Sequence, residues 1–437
     1  MAPAWVHPLV AVVKRDIVND SLVTSIESQW HNPKDTLSVL LLLSPDVIRQ
    51  AIAQQTGRRI VPVAFSFGWV AYGAMSLLHT FGDGHLMPPT DVNNVLVLTA
   101  DSGHVRSSSS WVLGRLLRDV THSVDNGIRH EQAKVASTGA EPFKQGQQPS
   151  VAAVEQQKSM ESTPWEALRV SIYQLDDRAD DTVPQVDGVW RSGVVTILIQ
   201  LVLSIVPCLV YREWHVFLIT AAGTILALAT SSLPQWRDEK WACPKTGGPT
   251  VAITTGNGSR HVIIVENDRK NDKGLHLELL AHGTRVFRPS LLTKISCVAF
   301  ATLWICLLIT MAGIEDNTWY LLAIGAIGSA QNLYAAAAIR SPAAHGIHVK
   351  LKETIVDSKV APVLKRVEQR YPSLGLSLVE IFFPASLRVK DPEDLEFWRG
   401  AMERRLAENK HGIRLDRIGE VSAGQPEVAS RDAVQGV

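Results

Sequence analysis

Four stretches of about twenty residues carry no formal charge, 192–211, 214–233, 295–314 and 319–339, and they limit what this chain can become more than anything else in it. A helix rising ~1.5 Å per residue needs about twenty residues to cross a hydrocarbon layer of ~30 Å. Four such lengths in one chain read as membrane spans rather than as buried core helices. The expected fold class is therefore an α-helical membrane bundle of four or five spans with a cytosolic α+β module. Only 20% of the residues are charged, and they lie mainly outside these stretches.

The fifth candidate span is 60–81, bounded by Arg58, Arg59 and Asp83. It is uncharged but interrupted by Pro62, Gly68, Gly73, Ser66, Ser76 and His79, so it reads as a crossing or as a helix dipping into the interface. Before it, 1–59 reads as an amphipathic helical region. Ser44-Pro45-Asp46 is a helix start with a capping hydroxyl and an acid at the positive dipole end. The first twenty residues lack the pattern of a secretory signal, so insertion is expected to rely on the internal spans.

Residues 82–120 read as soluble, with a strand over Val95–Leu98 and a short basic helix over Trp111–Val120. Residues 121–164 are rich in Gln, Ser, Glu, Ala and Gly and read as a disordered linker, because so little apolar surface cannot offset ordering entropy. A strand is expected within 165–190, over Ala167–Leu175, ahead of the first membrane hairpin, 192–233. The loop 234–289 should be β-rich. Val251–Thr255 and His261–Val265 flank a Gly256-Asn257-Gly258 turn, and Leu275–Leu280 offers a third strand. A second membrane hairpin occupies 290–339. The tail 340–418 reads as helical: Val356, Val360, Val363, Leu364 and Val367 recur at helical spacing, and Asp391-Pro392-Glu393-Asp394 starts a last helix. Residues 419–437 read as disordered.

Basic residues set the orientation. Arg191, Arg237, Lys240, Lys245, Arg285, Arg288, Arg340, Lys350 and Lys352 flank the spans on the side of the long connections, which is assigned to the cytosol. The short turns at Arg212-Glu213 and Glu315-Asp316 then face the other side. Trp190, Tyr211, Trp214, Trp319 and Tyr320 mark the boundaries.

The formal net charge is zero, which argues against a basic nucleic-acid-binding surface. Cys208, Cys243, Cys297 and Cys306 are too few and too scattered for a disulfide framework. Inside the spans stand Gln200, Gln331 and Asn332 but no acid or arginine, which disfavours ion coupling. Gln200 and Asn332 read as interhelical hydrogen-bond partners. Gly223/Ala227 and Gly325/Ser329 read as small-residue helix-packing contacts.

No catalytic, cofactor or metal site is assigned. Asp101, Ser102 and His104 are too close in sequence for a triad. His345 and His348 lack a third ligand. Asp176, Asp177, Asp180 and Asp181 lack calcium-loop spacing. Gly256–Ser259 reads as a hairpin turn rather than a phosphate loop. Asn19 and Asn257 match the glycosylation acceptor pattern, although Asn257 would face the cytosol. If the chain were an enzyme, Arg237, Glu239, Lys240 and His261 would be the polar cluster to carry it.

Several runs are similar to one known group. They are Phe65–Tyr72, Trp111–Arg118, Thr220–Ala229, Leu233–Arg237, Lys240–Cys243 and Thr254–His261. The chain resembles a family of uncharacterised multi-pass membrane proteins of filamentous ascomycete fungi, from near its N-terminus to about Arg388, apart from the low-complexity linker. The resemblance implies a multi-pass membrane location and no particular reaction, cofactor or ligand. The expected function is a non-catalytic membrane scaffold, adaptor or lipid-interacting protein. The alternatives are a transport or export accessory of a fungal secondary-metabolite pathway and a membrane-embedded tailoring enzyme. Expected partners are membrane lipids and, through the cytosolic module, a second copy or another protein, with no nucleic acid.

Overall fold

The computed structural model describes residues 45–138, 166–176, 182–245, 247–267, 275–283, 288–314 and 317–407. Asn19, Asp177, Asp180, Asp181 and the segments 139–165 and 419–437 lie outside the described residues.

Four long helices form a bundle. Only α4 (Gly188–Tyr211) and α5 (His215–Ser231) pack on each other as a hairpin; α8 (Leu291–Ala312) and α9 (Thr318–Ala337) follow one another in the chain but separate, α8 packing on α5 and on Gly68–Phe81, and α9 on α4 and on Pro45–Gln55. Three helical runs are long and apolar enough to cross a membrane: Gly188–Tyr211, the run His215–Lys240 that carries α5 into α6 (Pro234–Lys240), and Leu291–Ala312. Uncharged α9 is less apolar, because it carries Gln331, Asn332 and a series of small residues.

The segment 60–81 is not one helix. Residues 60–66 are extended and only Gly68–Phe81 is helical (α2). Its contacts trace a path into the bundle and back. At the base, Trp190 Nε1 donates to Ile60 O (3.3 Å) and Ser231 Oγ to Val61 O (3.0 Å). Deeper, Gln200 Nε2 donates to Phe65 O (2.7 Å), roughly 18 Å along α4 from its start at ~1.5 Å per residue. Near the apex Trp69 stacks on Trp304 of α8, with centroids 5.4 Å apart. On the return Thr80 reaches Cys297 (3.5 Å), and Gly84 lies against Pro289, just before α8 begins. The segment therefore enters and leaves the bundle at the same end. Pro62 and the run Val61–Phe67 keep the first limb extended.

Extended backbone inside an apolar bundle needs partners, since no water is present to supply them. Asn332 answers both polar groups of one residue: Ala64 N–H donates to its Oδ1 (3.2 Å), and its Nδ2 donates to Ala64 O (3.0 Å). Gln200 bridges Phe65 O and Ile324 O (2.8 Å). Asn332 serves the buried segment, whereas Gln200 both holds that segment and bonds α4 to α9. The glycines also serve the segment. A Cβ at Gly223 would strike the Phe65 ring, one at Gly325 the Phe67 ring, and one at Gly328 the Phe65 carbonyl. Ala227 is fully buried beside them, and Ser329 is half-buried.

Below the bundle sits a six-stranded mixed sheet in the order β2-β1-β4-β5-β3-β6. Its strands are β1 (Leu96–Thr99), β2 (Val105–Ser107), β3 (Leu168–Leu175), β4 (Val251–Thr254), β5 (His261–Glu266) and β6 (Val349–Asp357). Neighbours are antiparallel except β3 and β5, which run parallel in the register Arg169↔His261 to Gln174↔Glu266. Central strand β5 is buried on both faces, so it reads as a continuous apolar run. Ile263 and Val265 face one core, while Val262 and Ile264 face the other. The second core is closed by α10 (Val360–Arg370), α11 (Leu374–Phe382) and α12 (Pro392–Ala407). The first core continues without a break through Leu113, Ile52 and Trp69 to Trp304 and Cys297 in the bundle.

Three further sequence expectations change. α3 (Trp111–Thr138) runs eighteen residues past Val120 into the expected linker; the stripe Leu113, Leu116, Leu117, Val120, Val124 holds its face on the core. Leu277–Gly283 is a short helix, α7, and not a third strand. The tail 340–418 contains the strand β6 as well as helices. Val356 belongs to β6, opposite Arg169, rather than to a helix, and Lys350 and Lys352 pair with Asp176 and Glu266 (2.6 and 2.7 Å). The turn residues Gly256 and Gly258 do adopt left-handed φ, +88° and +91°, between β4 and β5.

Candidate functional site

The junction between bundle and sheet is held by buried charge. α1 (Pro45–Gln55) lies against α9 and α2 and supplies Arg49, Gln50 and Gln54. Gln54 Nε2 donates to Ala338 O (2.7 Å) at the end of α9. Arg340, two residues on, grips Asp187 with two parallel bonds, Nε to Oδ2 (2.7 Å) and Nη2 to Oδ1 (2.9 Å), and its Nη1 bonds Gln54 O. Asp187 also caps α4 by accepting from Trp190 N–H (3.0 Å). From the sheet side, Arg115 of α3 donates to Ala336 O (3.0 Å) and Gln50 Oε1 (3.1 Å) and pairs with Asp91 (3.2 Å).

Asp119 is the hub on α3. It accepts from Arg340 N–H (3.0 Å), Arg118 Nη2 (2.7 Å) and His345 Nε2 (2.8 Å). Burial pushes its carboxyl up, but the His345 hydrogen bond and the neighbouring cations outweigh burial and leave it below its ordinary range. Burial pushes His345 down to about 4 against the pull of Asp119, so the imidazole is neutral at pH 7. Both shifts have the same sign for stability. The unfolded chain holds more protons on His345 between its ordinary 6.5 and about 4, so its contribution is complete above pH 6.5 and drains as pH falls through that window. Asp119 adds a loss as pH falls through its own lowered value. The thermal midpoint of the detergent-solubilised protein should fall between pH 6.5 and 4, with a His345 share of about 1.4 kcal/mol per pH unit. His345→Gln, which can still donate to Asp119, should remove that share of the slope.

Beside this network is a cavity of about 610 Å³ lined by the end of α2, the stretch His85–Pro89, the start of α3 and the end of α6. Arg49 shapes one wall. Its Nε donates to Leu86 O (2.8 Å) and its Nη2 to Met87 O (2.6 Å) and His85 O (3.3 Å), while Nη1 meets His79 Nε2 (2.9 Å). Glu239 holds the same stretch from the other side, accepting from Leu86 N–H (2.8 Å) and lying 3.1 Å from His85 Nδ1. Lys240 is completely buried. Its Nζ donates to Ala53 O (3.0 Å) and Thr56 O (2.8 Å) and sits 5.5 Å from the Trp111 ring centroid. Among the described residues no carboxylate lies within ion-pair distance of it.

Of the polar cluster named from sequence, Glu239 and Lys240 line this cavity, and the other two members lie elsewhere. Arg237 is exposed and pairs with its neighbour Asp238 (3.5 Å). His261 pairs with Asp125 (3.0 Å), fourteen residues or ~21 Å along α3 from Trp111 at ~1.5 Å each. Asp101, Ser102 and His104 sit together in the tight β1–β2 hairpin, where Ser102 Oγ accepts from the His104 backbone N–H (3.3 Å). His345 and His348 diverge, toward Asp119 and toward Val183 O (3.1 Å). No group of three metal-ligating side chains occurs among the described residues. Asn257 is exposed in the β4–β5 turn. Sequence reasoning missed Arg49 and Ser110, which lie in regions it read only for helix pattern. The arginine two turns before a Gly stop was the available signal. No family model, curated protein or solved structure matches this chain.

Proposed function

We propose that this is an integral membrane protein crossing the bilayer four times, with 60–81 as a re-entrant segment, and that it acts without catalysis as a scaffold holding the sheet domain at the membrane surface. One observation carries the membrane part: the large aliphatic side chains of the long helices point outward, while the inner face of α4 is mostly small and polar. On α4 the buried positions are Val189, Gly193, Thr196, Gln200, Ser204, Pro207 and Cys208. Val195, Leu198, Val202, Leu209 and Val210 are exposed instead, as are Leu218 and Ile225 on α5 and Leu303 and Ile309 on α8. In water that arrangement would leave a wide apolar belt exposed; in hydrocarbon it costs nothing, and small polar residues favour close packing. The scaffold part rests on the shared core and the Arg340–Asp187 clamp, which join both halves into one body. The resemblance to fungal multi-pass membrane proteins belongs to the same reading.

Alkaline carbonate washing should leave the full chain in the membrane pellet, and detergent should release it. Acceptor sites engineered near 212–214 or 315–316 should be glycosylated, while native Asn257 stays unmodified. Release by carbonate, or glycan on Asn257, would overturn the topology.

A further inference from the structure

The cavity at the junction has the features of a ligand site. α3 is a long helix, and its opening residues Ser109, Ser110, Trp111 and Val112 line the cavity. Ser110 stands at the capping position, with its carbonyl accepting from Gly114 N–H (3.2 Å). The first N–H groups of a helix have no preceding turn to bond and carry the positive end of the dipole. A capping serine would normally satisfy one of them with its hydroxyl. Here Ser110 is 1% exposed and its Oγ has no hydrogen-bond partner. A buried hydroxyl without a partner is costly, and it lies in the wall of a cavity large enough for a ligand. The cavity wall also contains the Arg49 guanidinium and the Lys240 amine; burial, with Arg340 and Arg115 nearby, holds the Lys240 pKa well below the ordinary lysine value, so an anion arriving beside it would favour its protonated form. The one buried acid, Glu239, is already engaged by Leu86 N–H and His85; Asp83, beside His79 at 3.8 Å, is exposed.

We infer that this cavity binds a phosphate group, seated on the N-terminus of α3 with the Ser110 hydroxyl donating to it and Lys240 and Arg49 supplying charge. Helix N-termini bind phosphate through their free N–H groups and dipole, and cations beside them strengthen each bond. The phosphate has two possible sources, a lipid headgroup or a free phosphate. The surroundings bear on the choice. Leu78 and Phe81 at the end of α2 and Leu291, Leu292 and Ile295 at the start of α8 are exposed apolar residues on the same side of the bundle. Acyl chains could rest there while the headgroup reaches inward.

The test uses the full-length protein in maltoside micelles, which contain no phosphate. Inorganic phosphate and short-chain dioctanoyl phosphatidic acid are titrated separately, with thermal stabilisation and calorimetry as readouts. Both should bind. Phosphatidic acid binding at least tenfold tighter identifies a lipid headgroup site, and equal affinities identify a free-phosphate site. Ser110→Asp is the decisive variant. Aspartate is a good cap and should keep the helix, yet it places a carboxylate where the phosphate belongs, so binding of both probes should be lost. Ser110→Ala should weaken binding severalfold, and Lys240→Met should weaken it further where it folds. No binding of either probe, or native affinity in Ser110→Asp, overturns the inference. The phosphate titration does not depend on whether the bundle spans a bilayer, so its failure is distinct from failure of the topology.

Discussion

Gly328→Val is expected to abolish recovery of folded protein. A Cβ at position 328 would overlap the Phe65 carbonyl and lie 2.6 Å from Gln200 Nε2. Neither obstacle can yield cheaply. The carbonyl is backbone, held by Gln200, and the adjacent residue Ala64 is held at both its polar groups by Asn332. Overpacking a core commonly costs about 1–3 kcal/mol when side chains can shift. Here the extended limb must leave its seat, and each backbone group stranded in a dry interior adds about 1–3 kcal/mol. The sum rivals the whole stability of a typical domain, about 5–15 kcal/mol. Gly127→Ala is the matched control. Nothing lies within 4 Å of a Cβ there, and an exposed helix glycine exchanged for alanine should gain up to ~1 kcal/mol. Size-exclusion profiles and thermal midpoints in detergent distinguish the two. A monodisperse Gly328→Val protein with a near-native midpoint would show that the extended limb is not seated in the bundle.

The second large effect belongs to Arg340→Met. The substitution keeps much of the length of a buried side chain and removes its charge, leaving Asp187 and Gln54 O without their partner. Breaking a buried ion pair from one side typically costs about 3–5 kcal/mol. The lower end applies here, because the Asp187 side chain is 23% exposed and can recruit water. Arg340→Lys should recover little, since an ammonium cannot reproduce two parallel bonds to one carboxylate. Adding Asp187→Asn to Arg340→Met should restore part of the loss, because asparagine still caps α4 and no lone charge remains. A double variant as unstable as the single would place the importance of Arg340 elsewhere.

The long apolar helices were legible because the length and lack of charge that a hydrocarbon layer would require both leave marks in a linear sequence. The β4–β5 hairpin was legible because its turn needs residues that tolerate positive φ, and Gly256 and Gly258 advertise that. What failed to show was anything decided by a distant partner. Residues 60–66 look like the start of a helix; they are extended because Gln200 and Asn332 supply bonds that a helix would supply internally. β6 was read as part of a helical tail, since its pairing partner β3 and the acids that meet its lysines lie far away in the chain. α3 continued into a polar stretch because a thin apolar stripe meets a core built from distant parts of the chain. The site was the least legible part. Glu239 and Lys240 could be named, but Ser110 gains its meaning only from a cavity, and no spacing along the chain records a cavity.

The separation between the re-entrant limb and its partners has a consequence for biogenesis. Phe65 leaves the ribosome 135 residues ahead of Gln200, and Ala64 leaves 268 ahead of Asn332. At about 5–20 residues per second, the second interval lasts roughly 15–50 s. Throughout that time the nascent limb holds naked peptide groups that lipid cannot accommodate. On the topology proposed above, it must therefore wait at the aqueous edge of the insertion machinery and slide into place last, after the four long helices have been delivered.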